Sequence, residues 1–343
     1  MQCTKKQIEY ISVLNVVSAI AVVILHSNGI FWTFSNERYW FRSNIIECVM
    51  YFAVPIFFMV IGVTLIDYRE NYSTKEYFIR RINKTVIPFA SWSLIGVFWR
   101  IHFYPDFRTN LSIKTVLEGI VNTKVISIYW FFTALFGIYL ILPVLGAIEK
   151  GYRIKIYAYI VVIYLVLNTL FPLLANIVGF QLETVEFPIE GYVIYVLIGY
   201  LLHNCELKRK DRVIIYGMAV VGLLLHAIGT YNLSVEQGSI VQTYKGYLNL
   251  PCYMYSVGIF VFTKEVVSRV KLKSFFLFFS KMSNYTFGIY LIHWYILDLI
   301  KRYGNVNVKS LYYIFGAPII VIPICIILVW LIRKIPLVRR IVP

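Results

Sequence analysis

The sequence predicts an all-α integral membrane protein, a bundle of about ten transmembrane helices. Of its 343 residues, 59% are hydrophobic and only 15% are charged, whereas about 25% of the residues of soluble domains are charged. Its apolar runs repeatedly reach the roughly 20 residues that cross a bilayer core of about 30 Å. A soluble core does not need runs of that length, so a soluble domain is excluded as the main architecture.

Ten apolar runs are separated by charged residues, and each run predicts one helix. The predicted spans are 9–31, 45–66, 85–103, 127–147, 156–177, 189–204, 213–231, 248–264, 285–301 and 311–332. The longest predicted loops are 104–126 and 265–284. No soluble domain or low-complexity linker is visible, so residues 1–343 are expected to form a single transmembrane domain.

The Lys and Arg residues collect at alternate ends of these spans. If the N-terminus is inside, the inner segments hold 23 of the 33 Lys and Arg residues. Cytoplasmic loops are enriched in these residues, so both termini are expected to be cytoplasmic. The net charge of +16 then reflects topology and attraction to anionic lipids. Membrane lipids are therefore expected partners, and nucleic acid is not.

The five cysteines are isolated from one another in the sequence. None belongs to a CxxC or CxxxC pair, which argues against a zinc site or a disulfide framework. We expect them to be packing residues, and we expect no metal. The cysteines are Cys3, Cys48, Cys205, Cys252 and Cys325.

The first helix carries polar residues on one face. Asn15 and His26 are eleven residues apart, which is three turns plus about 20°, and Ser18 lies close to the same stripe. Polar groups at membrane depth are costly, so this stripe should face the bundle interior and is a candidate functional site. The alternative is a histidine that only hydrogen-bonds at a helix end.

Two carboxylates are candidates to orient His26. Glu47 lies near the outer end of the second helix, at about the depth of His26, and Glu190 opens the sixth helix from the same side. A carboxylate can hold an imidazole in place and stabilise its protonated form. Each carboxylate could instead be a charge at the level of the lipid headgroups.

The ninth helix carries a second polar stripe. Thr286, Tyr290 and His293 follow the i, i+4, i+7 spacing of one helix face. From the spacing alone, a packed and satisfied polar network is the favoured role.

A basic stretch lies at the end of the inner loop 67–84. Arg80, Arg81 and Lys84 could bind the phosphates of a cytoplasmic ligand, because arginine pairs with phosphate in a fork and lysine adds a point charge. The positive-inside rule alone also explains basic residues here.

Taken together, these segments resemble the membrane-bound acyltransferase-3 family along almost the whole chain. The matching pieces occur in the family's order, and six in order are fairly specific. They are the helix ending at His26, the Val54–Gly62 helix with Pro55, the basic stretch before Pro88, Tyr129–Phe132 with Pro143, Tyr195–Tyr200, and Tyr285–His293.

The resemblance implies transfer of an acyl group, most simply acetyl, from cytoplasmic acyl-coenzyme A to an extracytoplasmic hydroxyl acceptor. The acceptor would be a cell-envelope glycan or a small molecule, and the location a bacterial plasma membrane. His26 would be the general base, oriented by Glu47 or Glu190. The expected donor-binding residues are Arg80, Arg81, Lys84, Asn15 and Ser18. Tyr290, His293 and Trp130 would be channel or structural residues.

Three positions depart from the family pattern. Asn15 stands where the family usually has Arg, Lys84 replaces the second Arg of the basic loop, and Ile61 replaces a Ser. The first helix, with His26 to Gly29, is similar to one branch, the membrane part of the serine racemases of vancomycin resistance. That branch implies a cytoplasmic racemase domain after residue 343.

Two other classes of function stay open at this point. A transporter for a small solute such as serine would also place polar residues and a histidine inside the bundle, although no inverted repeat is evident. A sensor, or an anchor for a cytoplasmic domain, is the third class.

Overall fold

The structure, a computed structural model, describes residues 5–183 and 187–343, and its side chains from Glu9 onward. Cys3 lies outside the described residues. Ten helices form the bundle, and no strand occurs in the part of the chain that is described. They are α1 (Lys5–Ser27), α2 (Arg38–Glu70), α3 (Thr74–Phe103), α4 (Ser127–Leu145), α5 (Lys150–Val178), α6 (Val193–Asn204), α7 (Arg209–Gln237), α8 (Leu250–Arg269), α9 (Thr286–Tyr303) and α10 (Leu311–Lys334).

The all-helical membrane fold is confirmed, and each of the ten predicted spans coincides with a helix. Among the described residues, eight helices are long and apolar enough to cross a membrane. The other two are α6, which has 12 residues, and α9, whose second half carries Asp298, Lys301 and Arg302. The number of crossings and the side of each terminus stay predictions.

The sequence analysis expected residues 67–84 to form a loop, but the structure shows that most of them are helical. Most of this segment is the beginning of α3, because Ser73 caps that helix by accepting a hydrogen bond from the backbone N–H of Glu76 at 3.2 Å. A serine followed by a glutamate three residues later is the sequence signature of a helix start. The two longest predicted loops also contain short helices, Ile113–Val121 and Lys273–Ser283.

Helix α1 lies at the centre of the bundle. It packs against α2, α8, α9 and α10 and against the short Lys273–Ser283 helix. This central position explains why the polar stripe of α1 faces protein and not lipid.

Helices α2 and α6 approach each other unusually closely. A Cβ atom added to Gly62 would lie 1.9 Å from the carbonyl oxygen of Val196, and one added to Gly199 would lie 2.1 Å from that of Met59. Small residues at helix contacts allow such close packing in membrane bundles. Residues 193–200 are all buried, so α6 is enclosed by protein.

Within the described residues, three helices contain a π-helical turn, at Ile82–Val86 in α3, Leu165–Leu170 in α5 and Leu225–Gly229 in α7. Such turns often mark functional positions in helices. The first lies beside the basic stretch, and the third contains the buried His226.

Candidate functional site

Helices α1 and α9 bring two histidines together. Nδ1 of His26 lies 2.7 Å from Nε2 of His293, and the two rings lie at an angle of 20° with their centroids 4.9 Å apart. His293 is fully buried, whereas His26 is half-buried and lines a cavity. The two stripes recognised in the sequence therefore form one site.

The hydrogen bonds fix which nitrogen of each ring carries a proton. Nδ1 of His293 lies 2.9 Å from the carbonyl oxygen of Ile289, and a carbonyl can only accept, so Nδ1 is the donor. Nε2 of a neutral His293 is then an acceptor, and Nδ1 of His26 donates to it. The remaining nitrogen, Nε2 of His26, carries a lone pair and has no hydrogen-bond partner among the described residues. This is the state that a general base requires.

A cavity of about 660 Å³ connects His26 to a basic opening. Between the two ends its wall is mostly apolar and aromatic, formed by residues such as Val22, Val54, Phe57, Ile61, Phe131, Leu135 and Phe287. We call the part at His26 the histidine end and the part at Arg81 the basic end. Asn15 and His26 both line the cavity, and their separation along α1 is about 16 Å.

Three cationic side chains, Arg81, Lys84 and Arg333, line the basic end. Nε of Arg81 is buried and has no partner among the described residues, while Lys84 is exposed. Arg333 holds the C-terminal segment in place by donating to the carbonyl oxygens of Asn284 and Val342 at 2.7 and 2.9 Å. Cations at such an opening suit an anionic ligand.

Arg80 does not line the cavity with the other two residues of its stretch. Its guanidinium is exposed and pairs with Glu76 one turn earlier at 2.6 Å. The two arginines are consecutive in a helix, so they point about 100° apart. The structure thus separates Arg80 from Arg81 and Lys84.

The two residues of α1 that were expected to bind the donor differ in their surroundings. Asn15 lines the cavity. Ser18 is fully buried, and its Oγ has no partner among the described residues. Ser18 is not part of the cavity wall, so the expected row of lining groups is reduced to Asn15.

Neither carboxylate expected to orient His26 is its hydrogen-bond partner. Glu47 is buried, accepts from Nδ2 of Asn28 at 3.1 Å and pairs with Nζ of Lys245 at 3.4 Å. Glu190 is exposed at the segment before α6. A buried carboxylate needs a cation or donors, and Lys245 meets that need of Glu47.

Two of the three residues expected to be channel or structural residues lie on the cavity wall. Tyr290 and Trp130 line the cavity. The hydroxyl of Tyr290 donates to the carbonyl oxygen of Ile128 at 2.5 Å, and the ring of Trp130 stacks on that of Tyr247 at 5.5 Å. His293 does not line the cavity but supports His26 from behind.

Sequence reasoning missed Arg333, Lys245 and His226. The sequence signal for His226 is a histidine inside the predicted span 213–231, because ionisable groups at membrane depth are functional candidates. Arg333 was seen only as one of the inner positive charges. Nothing in the local sequence around Lys245 indicates that a loop lysine would be fully buried.

Comparison with known proteins agrees with the resemblance of the segments. The family model Acyl_transf_3, described as an acyltransferase domain, matches residues 8–330. No curated protein and no solved structure matches the chain. Because the family match covers far more than half of the 343 residues, the chain belongs to the acyltransferase-3 family and is a multi-pass membrane acyltransferase.

Proposed function

We propose that this acyltransferase moves an acyl group, most simply acetyl, from acyl-coenzyme A to a hydroxyl acceptor, with His26 as general base. The observation that carries the proposal is the free Nε2 of His26 in a cavity whose other end is basic. The chemistry needs a lone pair near the acceptor hydroxyl, and the donor needs cations for its phosphates.

The reaction follows from the tautomers of the two histidines. Nε2 of His26 takes the proton of the acceptor hydroxyl as its oxygen attacks the thioester carbonyl. When the tetrahedral intermediate collapses, the C–S bond breaks and the same nitrogen returns the proton to the thiolate. Nε2 of His293 accepts from Nδ1 of His26 throughout and so stabilises the imidazolium form between the two steps.

The shape of the cavity supports coenzyme A as the donor. Arg81, Lys84 and Arg333 would hold the phosphates at the basic end, because charge-assisted bonds to phosphate are stronger than neutral ones. The apolar and aromatic wall would accept the uncharged arm. Asn15 offers an amide to that arm where the usual family member has an arginine.

We also propose that the basic end and both termini face the cytoplasm. The support is the concentration of 23 of the 33 Lys and Arg residues on one predicted side. A reporter fused after Pro343 should be active only inside the cell. Activity only outside would reverse the assignment and place the donor site on the wrong face. A bacterial plasma membrane and the racemase branch with its attached domain stay predictions.

The test separates an enzyme from a transporter. Purified protein is incubated with radiolabelled acetyl-coenzyme A and a panel of hydroxyl acceptors, and the same acceptors are offered to vesicles for uptake. We expect an acylated product, and a loss of about 10²–10⁴-fold in rate for His26→Ala, the usual contribution of a positioned base. His26→Gln should keep the shape without the rate.

The matched control is His102→Ala, which removes an exposed histidine of α3 and should keep the wild-type rate. Full transfer by His26→Ala would contradict the mechanism. Saturable uptake without any acylated product from the wild type would favour the transporter.

A further inference from the structure

A fully buried lysine lies close to the histidine end of the cavity. Lys245 belongs to residues 238–249, which connect α7 and α8 and which we call the covering loop. Its Nζ lies 3.4 Å from Oε1 of Glu47 and 3.7 Å from the ring centroid of Tyr51. Burial lowers the pKa of the Lys245 amine, while the nearby Glu47 carboxylate opposes that shift. Burying such a pair is costly, so a structural role alone explains it poorly.

Several buried polar atoms around this pair have no partner among the described residues. Each leaves a desolvation cost of about 1–3 kcal/mol uncompensated, and such groups in one region call for an explanation. These atoms are Oδ1 of Asn28, Oγ of Ser43, Nδ1 and Nε2 of His226 and Oγ1 of Thr230.

Contacts connect these atoms into one neighbourhood. Nδ2 of Asn28 donates to the carbonyl oxygen of Ser43 at 2.9 Å and to Glu47. The ring of His226 packs edge-on against Tyr51 at 5.2 Å. Thr230 lies one turn after His226 and is also buried. We call Asn28, Ser43, His226 and Thr230 the unpaired polar cluster.

Aromatic side chains lie between this cluster and the cavity. The rings of Tyr51 and Tyr247 are parallel with centroids 4.0 Å apart, and Tyr247 lines the cavity beside Trp130. Tyr247 is part of the covering loop, and Asn28 is two residues from His26. A movement of the covering loop would therefore open the unpaired polar cluster towards the catalytic nitrogen.

We propose that the unpaired polar cluster is the acceptor-binding site, reached when the covering loop lifts, and that it selects an acceptor rich in hydroxyl groups. This inference rests on the proposed function, since it locates the acceptor of the same reaction. Hydroxyls can both donate and accept, as can the imidazole of His226 and the hydroxyls of Ser43 and Thr230. The aromatic rings beside them offer apolar surface to the carbon skeleton of the acceptor.

The first experiment separates acceptor binding from folding. Thr230→Val and His226→Phe each remove unpaired polar atoms while keeping the volume similar. We expect the KM for the acceptor to rise about 3- to 10-fold, the value of one neutral hydrogen bond. The KM for acetyl-coenzyme A should stay constant. The thermal stability should not fall, because no existing hydrogen bond is lost. Thr169→Val is the matched control, since its hydroxyl is already paired with the carbonyl of Leu165.

The second experiment uses the native thiols and needs no acyl transfer. Cys48, Cys252 and Cys325 are all buried, but the first two adjoin the Lys245 region and the third lies in α10. A loop that lifts should let N-ethylmaleimide modify Cys48 and Cys252 faster than Cys325, as followed by peptide mass spectrometry. Saturating glucose or N-acetylglucosamine should slow the first two only.

The outcomes of these two experiments distinguish an error in the acceptor site from an error in the proposed function. Equal labelling rates for the three thiols, or an unchanged acceptor KM in both variants, would overturn the acceptor site. Absence of any transfer by the wild type, together with sugar-protected labelling, would support the site and contradict only the acyl-transfer mechanism.

Discussion

The two ends of the cavity are built in opposite ways. At the histidine end, a chain of two hydrogen bonds fixes the orientation of His26. Its Nδ1 is bound to His293, and His293 is in turn bound to the backbone of Ile289. At the basic end, Lys84 is exposed and Nε of Arg81 has no partner among the described residues. The histidine end holds a single atom in a single state. At the basic end, Arg333 is held by backbone carbonyl oxygens, whereas the other two cations are less constrained.

This difference corresponds to two tasks, the positioning of a base and the attraction of an anion. A general base acts only from the right place and in the right tautomer, so its supports must be buried and specific. Phosphates are attracted over several ångströms, and long cationic side chains can adjust to them. Mutations should therefore affect rate at the histidine end and donor affinity at the basic end.

The largest expected effect is on stability. It compares the buried ion pair near the histidine end with the exposed ion pair near the basic end. Lys245→Met leaves Glu47 buried without its cation, which should lower the free energy of unfolding by about 3–5 kcal/mol. Arg80→Met breaks the exposed pair with Glu76 and should cost at most about 0.5 kcal/mol. Thermal or denaturant unfolding in detergent measures both.

The double variant Glu47→Gln with Lys245→Met serves as the control for the buried pair. Removing both charges together should restore much of the lost stability, because no unpaired charge is left behind. Equal losses from Lys245→Met and Arg80→Met would show that the two ends do not differ as described.

A smaller effect, on kcat, is expected from replacing His293, the hydrogen-bond partner of His26. His293→Ala removes the acceptor that fixes Nδ1 of His26 and should lower kcat about 10- to 100-fold, the value of a hydrogen bond to a group that becomes charged. The KM for acetyl-coenzyme A should stay constant. His293→Gln should recover part of the rate, since its amide oxygen can accept from the same nitrogen.

The matched control for His293 is His203→Ala, which breaks a bond to Tyr10 in another part of the bundle. It should leave kcat near the wild-type value. A constant kcat in His293→Ala would mean that the tautomer of His26 is fixed by something else.

The smallest effect is expected at the basic end. Replacing both Arg81 and Lys84 with Gln should raise the KM for acetyl-coenzyme A roughly tenfold at low salt, as expected for two partly solvated charges. The difference should shrink at high salt because the attraction is screened. Steady-state kinetics at two salt concentrations measure it.

Arg80→Gln is the matched control at this end, because Arg80 faces Glu76 and not the cavity. It should leave the donor KM unchanged. An effect equal to that of the Arg81 and Lys84 variant would mean that these residues do not bind the donor specifically and that the positive-inside rule explains all three.

The sequence was sufficient for the helices and for a histidine that lines the cavity. Hydrophobic length is a local property, so all ten spans could be located, and the polar face that His26 shares with Asn15 and Ser18 drew attention to it. Its partner could not be identified from spacing. Glu47 lies at a matching depth, but depth does not determine how each helix is rotated about its axis. That rotation brings His26 to His293 instead.

The separation of Arg80 from Arg81 and the burial of Lys245 were also beyond the sequence. The first depends on recognising Ser73 as a helix cap, which turns an assumed loop into a helix with distinct faces. The second depends on a distant partner, because only the packing of α2 against the covering loop places Glu47 beside Lys245.

The π-helical turn at Ile82–Val86 sets the angle between Arg81, which precedes it, and the part of α3 that follows it. Deleting one residue from this turn would restore regular α-helix and rotate everything before it by about 100° relative to everything after it. Arg81 would then leave the cavity wall while Trp92 and Val97 kept their packing. The side of α3 on which Arg81 lies therefore cannot be inferred from its sequence distance to Trp92 by the regular 3.6-residue repeat.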